Sequence, residues 1–393
     1  MKYDFTSKID RSNTGAFKYD FMPEPLKGSG IVPMTVADME FSAPPEVNKA
    51  VASAAYHGCY GYTGADRAYL DAVKHWQKAR HGWDIEDDWY VVTNGVVQAL
   101  GIAVRAFTEP GDSVLIMTPV YHPFYGAVED NGRKLETSAL IENGGRYEID
   151  FDDLEAKAAM PFVKLMLLCS PHNPVGRVWT EDELKRISDI CVKNGVIVVS
   201  DEIHNDLIMP GYRHTTFAKI EGANDNCVVC TAISKTFNLA GLSCSNIFVP
   251  NEDLRKRFAR EASVSGCGCV PYIARFATIA AYTEGEEWLD ELISVVDGNF
   301  RLVYDFIASR LPEFTVTRAE GTYLAWIDMR SLGMGHEELN RFMVEKAFIA
   351  DNDGEMFGSA GDGFRRWNLA LPRAELEAAL ERLEKAVREL KND

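Results

Sequence analysis

Between residues 90 and 250 the chain alternates short apolar runs with helical stretches, and few architectures accept that pattern. The runs lie at 90–93, 113–117, 163–169, 196–200 and 227–233. The run Val196-Ile197-Val198-Val199-Ser200 is almost wholly β-branched, which suits a strand covered on both faces. Helical segments are expected at 95–107, near Tyr125 and at 180–194. The last opens with Thr180 and Glu183 at capping-box spacing. Such alternation predicts a mostly parallel sheet with helices on its faces, an α/β fold. Upstream, helical periodicity covers 45–56 and 65–80, with Tyr69, Val73 and Trp76 on one face. A long helix over 286–310 leads into a mixed region with a strand at 323–327 and helices at 337–346 and 373–390. The expected organisation is an arm over 1–45 that joins the small domain, a large domain over 46–285, and a smaller α+β domain over 286–393.

With 393 residues, 46% of them hydrophobic, the chain can bury a large core and disorder is not expected. Its formal net charge of -18 argues against nucleic acid or an anionic membrane as a partner. No apolar stretch reaches bilayer length, and the polar start Met1-Lys2-Tyr3-Asp4 lacks the core of a signal peptide. The eight cysteines are scattered. Cys227 and Cys230 match C-x-x-C but lie in an apolar run without a second pair, so a buried structural role is expected rather than a metal site. A reduced, cytoplasmic protein is the simplest reading.

Three residues just past these runs suit one cofactor. Lys235 follows 227–233, Asp201 follows 196–200, and Asn173 lies just beyond 163–169. Open α/β sheets bind ligands at the carboxyl ends of their strands. Singly, each has a plain alternative: a solvated cation, a capping or turn acid, an Asn-Pro turn. Jointly they match pyridoxal 5′-phosphate, whose aldehyde condenses with a lysine amine and whose pyridine nitrogen keeps its proton beside a carboxylate. Burial and nearby positive charge can lower a lysine pKa enough for attack. Asn173 can donate an amide N–H to the ring oxygen. Thr93-Asn94-Gly95-Val96-Val97 leads from strand to helix, so Gly95 and Val96 can offer backbone N–H groups to the phosphate, with the Ser234 hydroxyl beside them. Tyr121 can cover the ring. A guanidinium fork would take a substrate carboxylate, and Arg365 or Arg366 is the candidate, since only one of two strand neighbours can face the site.

The ordered motifs carry a resemblance. They are Val36-Ala37-Asp38-Met39-Glu40-Phe41, Tyr60-Gly61-Tyr62-Thr63, Thr118-Pro119-Val120-Tyr121, Asn173-Pro174-Val175-Gly176-Arg177, Asp201-Glu202-Ile203-His204, Ser234-Lys235-Thr236-Phe237-Asn238 and Gly321-Thr322-Tyr323-Leu324-Ala325-Trp326. Together they resemble the fold-type I pyridoxal-phosphate enzymes of the aspartate aminotransferase superfamily, and within it the MalY/PatB-type cystathionine β-lyase (C–S lyase) branch. The resemblance implies a large domain with a seven-stranded, mostly parallel sheet and a smaller α+β domain. It implies that Lys235 binds the cofactor aldehyde, Asp201 the pyridine nitrogen, and Asn173 and His204 the ring oxygen. Tyr121 would stack on the ring and act in catalysis. Gly95, Val96 and Ser234 would hold the phosphate, with Tyr62 reaching in from the other subunit of a homodimer. Arg366 is the closer match to the carboxylate-binding arginine, with Ala37 and Asn173 beside the substrate. Ser243, eight residues after the lysine, stands where many aminotransferases have an arginine, and Ala232 stands where they have a hydroxyl residue. Both lean toward a lyase that releases pyruvate, ammonia and a thiol. An aminotransferase is the alternative, and a cofactor-binding regulatory protein a more distant one.

Overall fold

Residues 1–22, 26 and 30–392 are described in a computed structural model of the chain; 23–25 and 27–29 of the expected arm lie outside the described residues. Seven strands form the large sheet: β1 (Tyr90–Thr93), β2 (Ser113–Thr118), β3 (Lys134–Ala139), β4 (Val163–Cys169), β5 (Ile197–Asp201), β6 (Cys227–Thr231) and β7 (Ser245–Phe248). Their spatial order is β1-β7-β6-β5-β4-β2-β3. Only β7 runs against its neighbours. The other six therefore share one direction and end at one edge, and β7 starts at that same edge.

Side-chain alternation splits the core across the sheet. Val114, Ile116, Leu165, Leu167, Val199 and Val228 pack on one face with the helices Val96–Phe107 and Glu252–Val264. Leu115, Met117, Met166, Leu168, Val198 and Val229 pack on the other. Both faces are dry, which is why the central strands read as continuous apolar runs. The helix Glu181–Asn194 begins at the Thr180–Glu183 capping box expected from the sequence.

A smaller antiparallel sheet follows the helix Glu286–Arg310: β8 (Thr315–Val316), β9 (Leu324–Asp328), β10 (Asn352–Asp353) and β11 (Phe364–Asn368), in the order β8-β9-β11-β10. In it Arg366 lies opposite Trp326 on one side and Asn352 on the other. The arm touches this region through Val32–Pro33, paired in parallel with Ile349–Ala350.

The structure corrects some expectations. Strand β6 stops at Thr231, and Lys235 sits in a helical turn, Ile233–Thr236, rather than directly at a strand end. The helix expected over 337–346 ends at Arg341 and continues as a wider π-turn over Phe342–Lys346. Strands β3 and β7 had no counterpart in the sequence reading.

Candidate active site

The shared strand edge encloses a cavity of about 160 Å³. Nine of the expected residues line it: Ala37, Gly95, Val96, Tyr121, Asn173, Asp201, His204, Ser234 and Lys235. They arrive on five connections of the sheet and, for Ala37, on the N-terminal arm. Gly95 and Val96 follow β1, Tyr121 follows β2, Asn173 follows β4, Asp201 ends β5 with His204 just after it, and the Lys235 turn follows β6. Ser243 and Cys244 line it too, because the reversed β7 begins there. Asn94, Val97, Cys169, Ile203 and Ala240 complete the wall; most are small or apolar, and none was assigned a role of its own from the sequence.

The Lys235 amine donates to the Ala37 carbonyl at 2.6 Å. Burial pushes it down to about 8; the Arg366 and Lys18 charges add to that, while Asp38 and Asp201 oppose it. The carbonyl of Ala37 also accepts from the Tyr323 hydroxyl at 2.8 Å. Its segment is pinned from two sides. Asn238 bonds Met39 and Phe41, and Asn368 bonds the carbonyls of Val36 and Asp38. Arg11 and Lys18 from the arm pair with Asp38 and Glu40.

Asp201 is only 4% exposed. Burial raises its carboxyl to about 7, against the Ile203 N–H and the Lys235 charge. Among the described residues it has no cationic side chain in hydrogen-bond contact; its carboxylate accepts from Ile203 N–H at 3.1 Å. His204 is held well below its usual value by burial and then by Lys235 and Arg366, so its ring is neutral. Its Nδ1 is buried without a hydrogen-bond partner among the described residues.

Arg366 stands behind Asn173, donating to its Oδ1 at 3.2 Å and to Asn352 Oδ1 at 2.7 Å, and its Nε has no partner among the described residues. Burial lowers it to about 10, so it remains a cation, with no carboxylate against it among the described residues. Arg365, one residue earlier, is committed elsewhere: it pairs with Asp351 and bonds Asn340. That separates the two candidates that the sequence left side by side. Tyr62 does not enter the cavity of its own chain and is 99% exposed.

These residues fit pyridoxal phosphate. Gly95 has φ +148°, a conformation that favours glycine, and no atom lies within 4 Å of where a Cβ would stand. It opens a clear approach to the amino end of the helix Val96–Phe107, where free N–H groups favour a phosphate. A buried acid without a counter-cation, an orphaned imidazole nitrogen and a lysine amine poised near 8 answer the other demands of that cofactor.

The comparisons with known proteins agree. The family profile of aminotransferase class I and II matches residues 29–383. Cystathionine beta-lyase PatB of Bacillus subtilis is 40% identical, covering 98% of this chain and 100% of that protein. Protein MalY of Escherichia coli is 32% identical, covering 98% and 99%. The crystal structure of cystalysin from Treponema denticola, which contains a pyridoxal 5′-phosphate cofactor, superposes with a TM-score of 0.97 at 46% identity, covering 99% of this chain and all of that one. The PLP-bound C–S lyase from Staphylococcus hominis gives 0.92 at 33%, covering 98% of each. A strand edge that gathers these groups, matched from end to end by such relatives, makes this chain a member of the aminotransferase class I and II family.

Proposed function

We propose that the chain is a pyridoxal-phosphate-dependent C–S β-lyase that cleaves cystathionine or related L-cysteine S-conjugates into pyruvate, ammonia and a thiol. The observation that carries the reading is Arg366, a buried cation without an anion, one hydrogen bond from the cavity wall. It is a receptor for the carboxylate of an amino acid. The direction of the chemistry rests on relatives called cystathionine beta-lyase and C–S lyase over their full lengths.

Bound here, pyridoxal phosphate supplies an electron sink for the charge left on the substrate's α-carbon. Asp201 holds a proton on the ring nitrogen, and the ion pair relieves the burial cost that raises its carboxyl. Arg366 grips the α-carboxylate, with Asn173 orienting it. Lys235 takes the α-proton as general base, a task suited to an amine near 8. The carbon–sulfur bond then breaks with its electron pair on sulfur. The thiolate takes a proton from Lys235 or from a water beside Tyr121. Water adds to the three-carbon remainder and releases pyruvate and ammonia.

A homodimer accompanies this reading. Tyr56, Tyr60 and Tyr62 are all exposed within one short stretch, as a surface awaiting a second copy would be. The partner's Tyr62 would reach the phosphate. Residues 46–285 would form the cofactor domain, with 1–45 and 286–393 closing over it. Cytoplasmic residence is supported by eight free cysteines, six of them buried. No described helix is long and apolar enough to cross a membrane.

The test is chemical. Purified enzyme given L-cystathionine and a panel of S-substituted cysteines should release pyruvate, ammonia and thiol with no 2-oxo acid added. Strict dependence on such an acceptor would make it an aminotransferase instead.

A further inference from the structure

Lys235 lies in a helical turn of four residues, Ile233–Thr236, and a turn that short is not stable alone. The amine at its tip must nevertheless be held to a fraction of an ångström. Something must fix the turn from behind.

The group behind it is Asp206, five residues after Asp201 on the same connection. Its side chain is buried, and its Oδ2 accepts from the Thr236 hydroxyl at 2.8 Å. Its Oδ1 accepts from Trp76 Nε1 at 3.1 Å and contacts His81 Nε2 at 2.9 Å. The Trp76 ring meets the Phe237 ring edge-on at 5.4 Å, so it grips the next residue of the turn as well. We propose that Asp206 is a positioning residue for Lys235, acting through the Thr236 hydroxyl.

Two features support this. Burial alone would raise the Asp206 carboxyl, yet the bond and charge of His81, the Thr236 hydroxyl and the Arg80 charge hold it below its ordinary value, so it stays an anion and a strong acceptor. The charges that chiefly move the Lys235 amine are Asp38, Arg366, Asp201 and Lys18. Asp206 reaches the lysine turn by contact, through the Thr236 hydroxyl. Asp201, His204 and Asp206 lie on one short segment, so the stretch that lines the cavity also carries the residue that braces the lysine turn.

The inference rests on the lyase reading only for its kinetic arm. Thr236→Val removes the hydroxyl and keeps the shape; Thr236→Ser keeps the hydroxyl. In the holoenzyme, Thr236→Val should lower kcat for pyruvate release by about tenfold to a hundredfold, the range expected for a slight misplacement of a catalytic group. KM should change little. The visible circular dichroism of the bound cofactor should weaken with it, whatever reaction the enzyme runs, so failure of this proposal and failure of the lyase reading are told apart. Thr236→Ser should restore both signals. Asp206→Asn should match Thr236→Val, and the double variant should be no worse than either alone. Equal damage from Val and Ser, an unchanged dichroism band in Thr236→Val, or additive losses in the double variant would overturn the proposal.

Discussion

Arg365 and Arg366 are neighbours on one strand, each 2% exposed, and their surroundings are opposite. Arg365 faces Asp351, Asp353 and Asn340, so its charge is neutralised within the chain. Among the described residues Arg366 bonds only amide oxygens and lies over the Phe357 ring, with no carboxylate beside it. The contrast repeats elsewhere. Arg177 is wedged between Glu183 and Glu320, and Lys18 sits on Asp38 and Glu40. At the cavity, Asp201 has no cation in contact and His204 has an orphaned nitrogen. Buried charge that holds the fold arrives with its partner; buried charge at the site waits for one from outside. Burial costs both kinds, and only the first recovers the cost internally.

The sharpest way to break this contrast is to remove Arg365. Arg365→Leu strands the Asp351 carboxylate in the interior and should lower unfolding free energy by about 3–5 kcal/mol, the usual penalty for opening a buried pair. Adding Asp351→Asn should return much of it in urea melts. Nearly as large is a pH effect on the cofactor-free protein. Asp201 titrates near 7 when folded and near 4 when unfolded, so between those values the folded chain holds a proton the unfolded chain has released. Its contribution is therefore full below about pH 4 and lost as pH rises to about 7. At ~1.4 kcal/mol per pH unit the difference approaches about 4 kcal/mol. Asp201→Asn should erase that slope in thermal melts. A variant that keeps the wild-type slope would mean the carboxylate is compensated after all. The smallest effect sharpens rather than breaks the comparison. Arg366→Lys should leave stability unchanged or higher, yet cost about a hundredfold in kcat/KM, ~2.7 kcal/mol, mainly through KM. If Arg366→Lys instead destabilised the fold as Arg365→Leu does, the two arginines would be alike.

Much of this was legible because the site lies where the pattern is strongest. Strand 163–169 was readable to the residue since all but Lys164 are buried. Strand β3 was not, because only Ser138 in it is buried and its edge position leaves it polar. Strand β7 carries Ser245 and Asn246, which look like loop residues until their partners are seen: Thr93 bonds Ser245, and Tyr69 donates to Asn246. The cofactor-facing residues sit in compact motifs at strand ends. Sequence also narrowed the proposed carboxylate receptor to two arginines. Deciding between them needed Asp351 and Asn352, which lie fourteen residues away with no motif of their own. The Asp206 contacts draw on residues 76, 81 and 236, and only the fold brings those together.

The reversal of β7 has a consequence for turnover. Because that strand runs backwards, residues 232–244 leave the sheet and return to it at the same edge. A loop with both feet in adjacent strands has little freedom left to lose. On the proposed reading, the Lys235 amine on this loop would be kept at high effective concentration beside the cavity throughout a cycle. Its return to the site would then compete with free ammonia and bulk amines on intramolecular terms.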